Sequence, residues 1–140
     1  MKKYSTFAIL VYMEFADHYP DYPVPTLVIL TNHNTARLLR VEGRTLNELA
    51  PITLSDGTYD SATHRSELYQ ALNQAIEAQI AAGTQRVLLC APEAFKDEIL
   101  ASLSASARSH INDIVPKNLV SLEIDQVIRI LSEQPAQVSP

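Results

Sequence analysis

Thr84-Gln85-Arg86-Val87-Leu88-Leu89-Cys90-Ala91-Pro92-Glu93 decides the fold. Arg86 to Cys90 is a short run bounded by breakers, the pattern of a strand buried on both faces. Gly83 closes the helical pattern that precedes it. Pro92 and Glu93 open the next one: proline has no N–H to lose in a first turn, and an acid there meets the positive helix end. Upstream, from about Ser61 or Thr63 to Ala82, the residues Leu68, Leu72, Ala75, Ile76 and Ile80 recur at helical spacing. Downstream, Phe95, Ile99 and Leu103 do the same over 92–103. A strand fed and followed by helices predicts an α/β layer structure with a largely covered sheet.

The rest of the chain extends this frame. Thr26 to Thr31 reads as a buried strand, Asn32-His33-Asn34 as a tight connection, and Thr35 to Val41 as the returning strand, ended by Gly43. Leu49 to Leu54 reads as a third strand of an antiparallel meander. Residues 55–60 form a polar loop with a turn signal at Asp56-Gly57. Beyond the second helix, 104–110 reads as a further helical turn or two, and Ile111 to Val115 as a last strand. A final helix, capped by Ser121, carries Ile124, Val127, Ile128 and Leu131. Tyr19 to Pro25 holds three prolines, which neither continue a helix nor suit a central strand. Residues 5–18 are ambiguous. Phe7, Ile9, Val11, Met13 and Phe15 alternate as in a strand, while Phe7, Leu10, Val11 and Phe15 also fit one helical face. Propensity tips the expectation to helix. The expected domain plan is an apolar segment and proline-rich connector over 1–25, one α/β domain over 26–133, and a frayed tail over 134–140. Its mixed sheet should have about five strands flanked by helices.

At 140 residues the chain is long enough for one domain with a real core. A formal net charge of -5 does not suit a non-specific nucleic-acid binder, since phosphate binding is driven by Lys and Arg. Cys90 is the only cysteine, which excludes an internal disulfide and fits a reducing, cytoplasmic setting. Lys2-Lys3 and the short apolar run from Phe7 to Met13, interrupted by Glu14, fall short of a secretory leader. No run approaches the roughly 20 apolar residues of a membrane span.

Catalytic patterns are missing. The glycines Gly43, Gly57 and Gly83 are too far apart for a phosphate-cradling loop, and one Cys with four scattered His gives no zinc spacing. The strands at 26–31, 36–41 and 86–90 carry no carboxylates for a two-metal centre. We therefore expect no cofactor and no catalytic set. Candidate ligand contacts are Asp56 and Gly57 in the polar loop, with His64 and Arg65 in the first turn of the long helix, where free N–H groups favour anions. Arg37, Arg40 and Arg44 form a second, basic group, although strand alternation sends Arg37 and Arg40 to opposite faces. Cys90 reads as a small buried hydrophobe.

Two stretches resemble a known family. Thr31-Asn32-His33-Asn34-Thr35-Ala36-Arg37-Leu38-Leu39-Arg40-Val41-Glu42-Gly43-Arg44 resembles the opening of the bacterial host-attachment protein family. Val87 to Leu100 resembles its apolar strand, Ala-Pro turn and following helix, and Pro116-Lys117-Asn118-Leu119 its Lys-Asp-Leu element, with Asn118 as a departure. The resemblance covers residues 26–132. That family is similar to the middle domain of archaeal and eukaryotic release factors and of Pelota, which implies a ribonuclease-H-like α/β fold with a mixed sheet. In true release factors the loop before the long helix carries Gly-Gly-Gln. The corresponding residues 55–62 here hold one glycine and no glutamine, and the first Gln afterwards is Gln70. The resemblance thus implies a non-catalytic domain that binds tRNA or the ribosome through 55–65. Two alternatives stand beside it: a homodimer assembled through residues 5–18, and a hydrolase using Asp56, Asp60 and His64.

Overall fold

The structure, a computed structural model, describes residues 9–14, 22–32, 34–53 and 62–132. Strands β1 (Ile9–Glu14), β2 (Tyr22–Thr31), β3 (Thr35–Gly43), β4 (Thr45–Leu49) and β5 (Ile52–Thr53) come first. Helix α1 (Ala62–Ala81), strand β6 (Arg86–Cys90), helices α2 (Lys96–Ser102) and α3 (Ala105–Ser109), strand β7 (Ile111–Val115) and helix α4 (Ile124–Ser132) follow. The strands build one mixed sheet in the order β1-β4-β3-β2-β6-β7, with β5 pairing the start of β3. β2, β6 and β7 run parallel, and the remaining pairs are antiparallel. Among the described residues no helix is long and apolar enough to cross a membrane.

The stretch 84–93 takes the place its pattern requires. Val87 to Ala91 are fully or almost fully buried, because β6 lies between β2 and β7 with helices on both sides. Alternation splits the sheet residues between two cores. Leu27, Ile29, Leu38, Val87 and Leu89 meet Leu68, Leu72 and Ile76 of α1 and Ile99 of α2. Val28, Leu30, Leu39, Leu88 and Cys90 meet Val127, Ile128 and Leu131 of α4. The turn from α1 into β6 needs Gly83, whose φ of +115° is open to glycine and strained for other residues. Ser104 caps α3 by accepting from the Ala107 N–H at 3.1 Å.

Several expectations are corrected. Ile9–Glu14, expected to be helical, is the edge strand β1, paired antiparallel to β4. The unpaired backbone edge of β4 overrides a modest helix propensity. Ile9–Glu14 is thus part of the sheet, which among the described residues has seven strands where about five were expected. The third strand begins at Thr45, directly after the Gly43 turn, and Pro51 breaks what was read as one strand, leaving Ile52–Thr53 as β5. Pro23 and Pro25 lie inside β2, a central strand. They are tolerated because the pairing with β3 is irregular between Tyr22 and Thr26, and the Pro25 carbonyl still accepts the Gln85 N–H at 2.9 Å. Ser121 does not cap α4; the Glu123 carbonyl accepts from Gln126 and Val127, and the Glu123 N–H donates to the Gln126 side chain at 3.1 Å.

A chain lacking residues 1–14 should expose the β4 edge, an open template for pairing. The expected outcome is a lower Tm and new concentration-dependent self-association by light scattering. An unchanged Tm with an unchanged mass would show that β1 contributes nothing to the sheet.

Candidate functional site

The two chain crossings that matter meet at the carboxyl ends of β2, β6 and β7. From β2 the chain turns back into β3 on one side; from β6 it leaves for α2, and the next strand, β7, lies on the other. In α/β proteins ligands are often held outside the carboxyl ends of the strands. Side-chain hydrogen bonds tie the two strand ends there: Asn32 Oδ1 accepts from the N–H groups of Asn34 at 2.8 Å and Thr35 at 3.0 Å, and the Thr31 hydroxyl donates to the Thr35 carbonyl at 3.0 Å. Thr35 also donates to the Ile52 carbonyl at 2.9 Å, tying β5 to the same rim. β5 touches α1. Asp56, Gly57 and Asp60 in that loop, and His33 in the hairpin, lie outside the described residues. His64 falls in the first turn of α1.

Arg65 is engaged within the fold. Its Nε donates to Glu98 Oε2 at 2.8 Å, and its guanidinium lies 6.0 Å from the centre of the Phe95 ring. One turn along, Tyr69 is 1% exposed, with its hydroxyl close to Glu98. Burial pushes that phenol up to about 12, helped by the nearby Glu98 carboxylate. Lys96 is raised by Asp97 first and then Glu93, whose carboxylates stand 3.3 and 3.6 Å away. The cations beside the start of α1 are therefore already matched by carboxylates. A phosphate arriving at Arg65 competes with Glu98 for it.

The second basic group does not join the first. Arg37 lies on the α4 face of β3, where Nε and Nη2 donate to the Glu48 carboxylate at 2.9 and 3.2 Å. Its Nη1 donates to the carbonyls of Val120 at 2.8 Å and Leu122 at 2.7 Å. Arg37 thus clamps the connection into α4 onto β3 and β4. Arg40 lies on the α1 face, with Nη2 donating to the Ala82 carbonyl at 3.2 Å, just past the far end of α1. The rise of an α-helix puts Ala82 about 25 Å from Arg65 along that axis. Arg44 occupies the turn between β3 and β4 and also has an intramolecular partner.

Two acids escaped the sequence reading. Glu48 and Asp113 are buried on strands, the first held by Arg37 and the second by an ion pair to Arg86. For Glu48 the available signal was a charge between Leu46 and Leu49 on a strand, since a buried carboxylate needs a partner. Among the described residues no group of three or more His, Cys, Asp or Glu is placed to hold a metal ion. Cys90 is buried, and desolvation pushes its thiol from 9.0 up to about 12.

No family model matches this chain, and neither does any curated protein. Solved structures do match. One of Saccharomyces cerevisiae Dom34, a translation termination-like factor involved in RNA quality control pathways and interacting with Hbs1, superposes with a TM-score of 0.56 at 13% identity, covering 84% of this chain. A second Dom34 structure gives 0.53 at 12% identity over 80% of this chain. The fold is similar to that of part of Dom34. The chain spans about a third of Dom34, 35% and 33% in the two structures. At these identities the likeness concerns the fold alone.

Two outcomes are expected from these side chains. Arg37→Ala leaves Glu48 and two carbonyls without their donor and should cost about 3 kcal/mol. A lowered urea midpoint checks this, and an unchanged one would make the clamp incidental. Cys90 should resist an aromatic disulfide reagent at neutral pH in the native protein and react fully once unfolded. Its folded pKa lies above the unfolded value, so the folded state holds a proton that the unfolded chain releases. Stability should accordingly fall as pH rises from 9.0 to about 12.

Proposed function

We propose that this chain is a non-catalytic, release-factor-like binding domain that works in the cytoplasm on the ribosome or tRNA, and that residues 26–132 belong to the host-attachment family. The observation that supports it is the fold match: one release-factor-like likeness covers 84% of the chain. The matched protein is itself a translation termination-like factor. The chemistry of a true release factor has no carrier here. The loop before α1 has Gly57 but no glutamine, and Gln70 sits exposed on α1, well past its first turn. The contact surface is assigned to residues 55–65, with Asp56, Gly57, His64 and Arg65. Arg40 and Arg44 form a separate contact near the opposite end of α1. Arg37 serves the fold.

Sedimentation of the purified protein with ribosomes, and fluorescence anisotropy with labelled tRNA, test this reading. Binding is expected at about 50 mM salt and should weaken strongly by about 200 mM, as counterion release requires. Arg65→Ala should weaken it by removing a cation from the proposed contact. No co-sedimentation and no anisotropy change at the lower salt would end the proposal.

A further inference from the structure

We infer that a single water is bound inside the corner where α1 turns into β6, held by Gln79 and Thr84. Both residues are almost completely buried, at 2% and 3% exposure. Among the described residues, neither Gln79 Oε1 nor Thr84 Oγ1 has a hydrogen-bond partner. The two side chains leave the backbone at either end of one hydrogen bond, from the Thr84 N–H to the Gln79 carbonyl at 2.9 Å. Buried polar oxygens are satisfied in folded proteins, by protein or by ordered water.

The corner's own charges select the ligand. Gln79 Oε1 only accepts, so the occupant must donate. An anion is opposed by the carbonyl end of α1, which carries partial negative charge. A cation is opposed by the Arg40 guanidinium, whose Nη2 reaches the Ala82 carbonyl at 3.2 Å and lies 3.7 Å from where a Cβ on Gly83 would stand. A neutral molecule able to donate twice remains, and water does so with as few as two polar partners. It pins the end of α1 to the start of β6, beside the Gln85 N–H to Pro25 carbonyl bond that sets the β2–β6 register.

Water–amide cross-relaxation on the intact protein tests the site. A long-lived water is expected at the amides of 83–85. Thr84→Val should abolish that signal and lower Tm by about 4 °C, because Gln79 Oε1 then lies buried without a donor. Thr84→Ser keeps the hydroxyl and should retain both signal and Tm. No cross-peak in the wild-type protein overturns the site whatever the variants do, and so does a cross-peak that survives in Thr84→Val. A Thr84→Val variant as stable as wild type overturns it equally.

Discussion

The parallel pairing of β2 with β6 is the constraint on which the rest of the molecule depends. Thr26 to Leu30 run beside Arg86 to Cys90, and nearly every residue in the two runs is closed off from solvent. Strands buried on both faces need cover on both, which one layer of helices does not give. Helix α1, with α2 and α3, covers one side, and α4 covers the other. The connection from the antiparallel strands to β6 must cross over the sheet, and α1 is that crossover. This same crossing puts the start of α1 at the carboxyl ends of the parallel strands.

Where the sequence was legible, a single period sufficed. Val87 to Cys90 are apolar in succession, and α1 repeats Leu68, Leu72 and Ile76 on one side, so strand and helix were both readable. Ile9–Glu14 was not, because its apolar residues satisfy two periods at once. Its conformation is decided by the distant edge of β4, which local spacing does not reveal. Pro23 and Pro25 misled for a similar reason: a proline excludes a ladder donor at its own position and leaves its carbonyl available. The irregular pairing at the start of β2 uses that freedom.

The candidate site was less legible than the fold. Alternation correctly separated Arg37 from Arg40, but the acids and carbonyls that occupy each guanidinium come from elements remote in the chain. Glu48 is on the next strand but Val120 and Leu122 are far downstream, and Glu98 reaches Arg65 from α2. An arginine has five donors in a fixed fork, and a fold uses them as readily as a ligand does. The two basic groups therefore never shared a surface, whatever their spacing suggested.

The β2–β6 pairing also dictates the order in which this chain gains structure during its own synthesis. The meander of β2, β3 and β4 needs only the first third of the chain, and its contacts are local. Leu27 must nevertheless wait for Val87, with α1 made in between. Throughout that interval β2, an uncharged run from Thr26 to Thr31, is an open edge facing the cell. Non-local pairing is slow, and an unpaired apolar edge invites aggregation. The nascent chain is most vulnerable between the completion of β4 and the emergence of β6, and slow translation across α1 would lengthen that exposure.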